Sequence, residues 1–85
     1  MITTEAGEIW AEELLDVRPG FRKFRCYWDD RFKLADQLFK QAEPRVGAIE
    51  IDMDGPPTRH DKHGYRVSVH AIVTALLWKE DTPCG

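Results

Sequence analysis

Three carboxylates, Glu50, Asp52 and Asp54, recur at every second residue. On a β strand that spacing puts them on one face, ~6.6–6.8 Å apart per step. A close carboxylate pair can do acid–base work if burial raises one of its two pKa values. The outer face of a small hairpin is wet and does not supply that burial. A row of negative charge can also imitate a nucleic-acid backbone. Phosphates advance about 3.4 Å along the axis per nucleotide, so alternate strand carboxylates match every second phosphate and would fit a basic groove on a partner. The plainest alternative is an ordinary solvated strand face.

A second cluster is His60-Asp61-Lys62-His63. Imidazoles three residues apart can reach one ion, with Asp54 or Asp61 adding oxygen and His70 further along the chain. No recognised spacing completes a tetrahedral set, and Arg59 and Lys62 would repel a cation. Solvated loop histidines are the better reading, so neither a metal nor another cofactor is expected.

Arg22, Lys23 and Arg25 interleave with Phe21, Phe24, Tyr27 and Trp28. Basic residues among aromatics on a strand have the composition of sheet-based single-strand binders, in which bases stack on rings. Arg22, Lys23, Arg25 and Tyr27 would form that surface. The spacing matches no ribonucleoprotein motif, and the aromatics serve equally as core. No Gly-rich phosphate loop and no Gly-x-Ser-x-Gly elbow is present, and Ser68 is the only serine. No catalytic residue is assigned, and the chain is read as a non-enzyme.

The elements that would carry these residues follow from periodicity. Residues 4–17 predict a helix, with Ala6, Ile9, Trp10, Leu14 and Val17 at helical spacing, Thr4 as N-cap and Pro19-Gly20 as the stop. Gly7 weakens that helix, and a strand with Ile9, Ala11, Leu15 and Val17 on one face is its rival. Residues 21–28 alternate as a strand. Residues 31–42 predict a helix burying Phe32, Ala35, Leu38, Phe39 and Ala42, widened by Leu34. Residues 46–53 predict a strand, followed by a polar loop to Gly64. A strand from Tyr65 would pair Met53 with Tyr65, Ile51 with Val67 and Asp52 with Arg66. From His70 onward helix and strand compete. β-Branched Val67, Val69, Ile72, Val73 and Thr74 favour a strand, which would put Ile72, Leu76 and Trp78 on its outer face.

The predicted fold is therefore one α+β domain spanning residues 1–85, with residues 1–3 and 81–85 as loose ends. An antiparallel sheet of three or more strands packs against the 31–42 helix, beside an N-terminal helix. The chain has 85 residues, 42% of them hydrophobic and 32% charged, which excludes disorder and coiled coil. No apolar run reaches the ~18 residues of a membrane span, and no signal peptide is expected. Two cysteines, Cys26 and Cys84, suit reduced thiols and hence a cytoplasmic protein.

Net charge is −3, unevenly spread. Residues 1–17 hold five acids and no base, whereas residues 18–45 hold eight bases and four acids. An acidic chain lacks the footprint of a general nucleic-acid binder. Three tryptophans are too many for so small a core, and tryptophan is favoured in interface hot spots. The sequence thus predicts a small protein-binding module that occludes a partner's basic or nucleic-acid-binding surface through Glu50, Asp52, Asp54, Ile72, Leu76 and Trp78. Its profile is similar to that of small acidic inhibitors encoded by phages, anti-CRISPR proteins among them, in size, charge and lack of motifs. Self-association through Ile72, Leu76 and Trp78 is a further expectation. A single-stranded nucleic-acid binder ranks second, and a subunit of a homo-oligomeric enzyme third.

Overall fold

The computed structural model describes residues 1–41 and 45–77. Its architecture is α+β, with a four-stranded antiparallel sheet carrying a single helix on one face among the described residues. The helix expected over residues 4–17 does not form. Residues 2–14 instead hold three strands: β1 (Ile2–Thr4), β2 (Gly7–Ile9) and β3 (Ala11–Leu14). Ile2 and Thr3, expected in a loose end, pair with Ile9 and Glu8.

Two causes oppose the helix. Gly7 takes φ 114°, a conformation open to glycine but not to a helix. The Thr4 hydroxyl, expected to cap a helix, closes the β1–β2 turn instead. It accepts the Ala6 N–H at 3.1 Å and donates to the Gly7 carbonyl at 2.7 Å. Glu12 and Glu13, good helix formers in isolation, find arginines across the sheet, a tertiary gain that overrides local propensity.

β4 (Phe21–Tyr27) follows as predicted and leads through a 3₁₀ turn at Trp28–Asp30 into α1 (Arg31–Lys40). The helix is seated differently from the expected stripe. Leu34, Ala35 and Leu38 are buried, whereas Phe32 and Phe39 are 64% and 53% exposed. At 3.6 residues per turn, Phe39 lies about 90° and Phe32 about 110° from the middle of the buried arc. Ala42 lies outside the described residues. Below the helix, β8 (His70–Leu77) offers Ala71, Val73 and Ala75, all fully buried. These short side chains leave room for Leu34 and Leu38, and burying each leucine stabilises by about 1.5–3 kcal/mol. Phe24 and Cys26 of β4, and Ile9 at the end of β2, complete the centre of the core.

β5 is Val46–Asp54, and the sheet order is β3-β4-β8-β5. The strand reading of residues 70–77 holds, but its expected register does not. Met53 pairs with Ala71 rather than Tyr65, and Ile51 with Val73 rather than Val67. Consequently Asp52 faces Ile72, not Arg66. Residues 59–67 instead fold as a separate small hairpin, β6 (Arg59–His60) with β7 (Arg66–Val67). Asp61 closes its turn by accepting the N–H groups of His63 and Tyr65 at 2.9 and 3.0 Å. Buried Ser68 then ties the hairpin to the end of β5, its hydroxyl reaching the carbonyls of Gly55 and Pro56. No helix among the described residues is long and apolar enough to cross a membrane.

Candidate functional site

One face of the sheet carries the helix; among the described residues the other is open. The cross-strand register fixes what the open face displays. Running along β4, β8 and β5, its rows are Phe21–Leu76–Ala48, Lys23–Thr74–Glu50, Arg25–Ile72–Asp52 and Tyr27–His70–Asp54. β3 adds Leu14 beside Lys23 and Glu12 beside Arg25. Trp10, just ahead of β3, packs over the Tyr27 end.

That end is aromatic. The Trp10 ring lies 5.2 Å from Tyr27 and 5.7 Å from His70, both tilted, while Tyr27 and His70 stack at 5.2 Å with 22° between planes. Such pairs add about 0.5–1.5 kcal/mol beyond their buried area, so the three rings form a rigid platform. Packed against one another at 5.2–5.7 Å between centroids, they leave no slot between them.

The middle is ionic. Arg25 donates to Glu12 at 2.6 Å and lies 3.7 Å from Asp54. Glu12, and more weakly Asp54, hold its guanidinium above the ordinary arginine pKa. Glu50 and Asp52 are exposed, and among the described residues neither has a cation within 4 Å. The face therefore sets Glu12, Glu50, Asp52 and Asp54 against Lys23 and Arg25, a net negative surface.

The far end is apolar. Phe21, Ala48, Ile49 and Leu76 line a shallow open depression with Glu50 and Thr74. A neighbouring one is lined by Asp16, Val17, Arg18, Phe21, Lys23, Glu50 and Thr74. Leu76 is 42% exposed and Ile72 half-buried.

Five of the six expected partner-binding residues, Glu50, Asp52, Asp54, Ile72 and Leu76, thus share one face; Trp78 lies outside the described residues. Of the four expected nucleic-acid contacts, Lys23, Arg25 and Tyr27 share that same face. Arg22 does not: strand alternation turns it to the helix side, where it grips Glu13 through Nε at 2.9 Å and Nη2 at 2.8 Å. Its guanidinium also covers the Phe24 ring at 5.0 Å. The hydrogen bond from Arg22 holds the Glu13 carboxyl below its ordinary pKa.

Trp10, Glu12 and His70 were not among the residues expected on this face, His70 having been weighed only for a metal. Extending the period-two pattern of Ile72 and Leu76 back by one step would have found His70. Trp10 and Glu12 were hidden by the helical reading of their segment.

The remaining chemistry is sparse. His60 and His63 are exposed, and no three His, Cys, Asp or Glu side chains converge on a metal position among the described residues. Cys26 is fully buried as a core residue, and burial, then nearby Asp30, pushes its thiol up to about 11. Cys84 lies outside the described residues. No known family, curated protein or solved structure matches this chain.

Proposed function

We propose that the open sheet face is a protein-docking surface for a partner with a basic, partly apolar face, and that the chain acts as a non-enzymatic binding module. The observation that carries this reading is that Glu50 and Asp52, exposed and with no cation within 4 Å among the described residues, share with Phe21, Ile72 and Leu76 a face that no described element covers. An apolar end and an aromatic end flanking a net negative middle give one surface both contact area and charge selection. The carboxylates set the sign of the partner and speed its approach, while the apolar end and the aromatic platform supply contact area. Occluding a basic or nucleic-acid-binding surface in this way would inhibit the partner. A thiol as inert as Cys26 is compatible with action in the cytoplasm.

A single-stranded nucleic acid is the second reading, favoured by the Trp10–Tyr27–His70 platform on the same face as Lys23 and Arg25. It ranks lower because Arg25 is already occupied by Glu12 and Asp54, and four carboxylates on the face repel phosphates. Affinity capture from cell extract, run beside gel shifts with single-stranded RNA and DNA, separates the two. Glu50→Lys with Asp52→Lys is expected to release the captured protein, and Lys23→Glu to retain it. A gel shift that Lys23→Glu abolishes would give the face to nucleic acid.

A further inference from the structure

β5 ends one side of the sheet, and among the described residues no strand pairs with its outer edge. Such an edge presents a row of backbone N–H and C=O groups to any chain that lies alongside. Proteins usually blunt an exposed edge with charged side chains, lysine above all, with proline, a bulge or extreme shortness. Carboxylates such as those of β5 blunt it against a second acidic strand but not against a basic one. β5 is nine residues long and contains neither lysine nor proline. Its irregularity is confined to Val46–Ala48, so Ile49 to Asp54 is regular strand. Along that regular part Glu50, Asp52 and Asp54 on the open face alternate with Ile49, Ile51 and Met53 on the helix side.

The alternation selects the occupant. Two copies of β5 paired antiparallel about a two-fold axis would keep like faces together. Centred on Ile51, Glu50 of one copy would oppose Asp52 of the other; centred on Glu50, that residue would meet its own equivalent; centred on Asp52, Asp52 would meet its equivalent and Glu50 would meet Asp54. Like charges directly opposite destabilise a sheet. A strand with Lys or Arg at alternate positions reverses the sign of every such pair. Apolar residues between the cations would extend the row of Ile49, Ile51 and Met53, which are only partly buried, Met53 being 39% exposed. We infer that β5 accepts an extended segment of a different protein, basic at alternate residues and apolar between them, as a fifth strand. This rests on the docking reading above and adds how the partner is held: main-chain hydrogen bonds for grip, alternating ion pairs for selection.

The test uses a capped nine-residue peptide alternating Lys and Val, its counterpart with Glu for Lys, and two N-methylated forms of the first. One form is methylated at every Lys nitrogen, the other at every Val nitrogen. In a strand, alternate residues aim their backbone groups at opposite edges, so only one set can bond β5. The lysine peptide is expected to bind the intact chain at least ~10-fold tighter than the glutamate peptide, and Glu50→Lys with Asp52→Lys to remove that preference. One N-methylated peptide is expected to lose binding and the other to keep it. If both bind like the parent, strand addition is overturned while the acidic docking face stands. If the glutamate peptide binds as well as the lysine peptide, the docking reading falls too.

Discussion

Truncating Leu38 and Phe39 separately tests how α1 sits on the sheet. Leu38 is 2% exposed, over the alanine-rich floor of β8, whereas the adjacent Phe39 is 53% exposed. Leu38→Ala removes a buried isobutyl group and leaves a cavity, which costs about 2–5 kcal/mol. A domain of 85 residues has about 4–13 kcal/mol of total stability at ~0.05–0.15 kcal/mol per residue. Each kcal/mol moves Tm by about 4–8 °C at this size, so Leu38→Ala should lower Tm by roughly 10 °C or more. Phe39 hides only about half of its ring. Losing half of a ~1.5–3 kcal/mol burial term costs about 1 kcal/mol, a drop of a few degrees. Thermal melts by circular dichroism, checked by urea midpoints, resolve that gap. If Phe39→Ala unfolds the chain while Leu38→Ala melts near the parent, the helix is turned toward the stripe of Phe32 and Phe39, and the seating described above is wrong.

Further outcomes follow from the pairs and the faces. Arg22 holds Glu13 below its ordinary pKa, so this pair adds stability that is present above the ordinary glutamate range and is lost as pH falls below it. Arg22→Ala should therefore flatten the acid side of the Tm-against-pH curve; an unchanged acid slope would show that the pair contributes nothing. With its thiol pushed up to about 11 and no exposure, Cys26 should resist iodoacetamide at pH 8 in a Cys84→Ser background and react once the chain unfolds in urea. Labelling of the folded protein at the rate of a free thiol would contradict its burial. A second copy is the rival occupant of the open face. Sedimentation at high micromolar concentration should show a monomer, and a dimer that Leu76→Asp dissociates would give the face to self-association instead.

The strands at residues 21–27 and 46–54 and the helix at 31–40 were legible because each advertises itself through local period, whereas at 70–77 period fitted helix and strand alike and β-branched residues tipped the reading to strand. Alternating Phe24 and Cys26, or Ile49, Ile51 and Met53, mark a half-buried strand in any context. The same alternation also sorted Glu50, Asp52 and Asp54 to one face together with Ile72 and Leu76. Register was not legible, for a definite reason. Pairing Met53 with Ala71 instead of Tyr65 is a slip of six residues, and any even slip leaves every side chain on the same face. Hydrophobic pattern cannot separate such registers, and the choice fell to the small hairpin that consumes residues 59–67.

Three other outcomes belong to the tertiary structure. The 31–40 helix has more apolar residues than one face can bury, and its seating over Ala71, Val73 and Ala75 buries Leu34 and Leu38 and leaves Phe32 and Phe39 more than half exposed. The segment 2–14 has the glutamates of a helix, but Arg22 and Arg25 exist for it only once β4 lies alongside. The composition of the open face was decided in the same way. Sequence parity says which residues of one strand travel together, whereas only the order β3-β4-β8-β5 brings Trp10 to Tyr27 and His70 and leaves β5 at an edge. Local period is a property of a few adjacent residues; strand order and helix seating come from contacts between segments far apart in the chain, which no local pattern encodes.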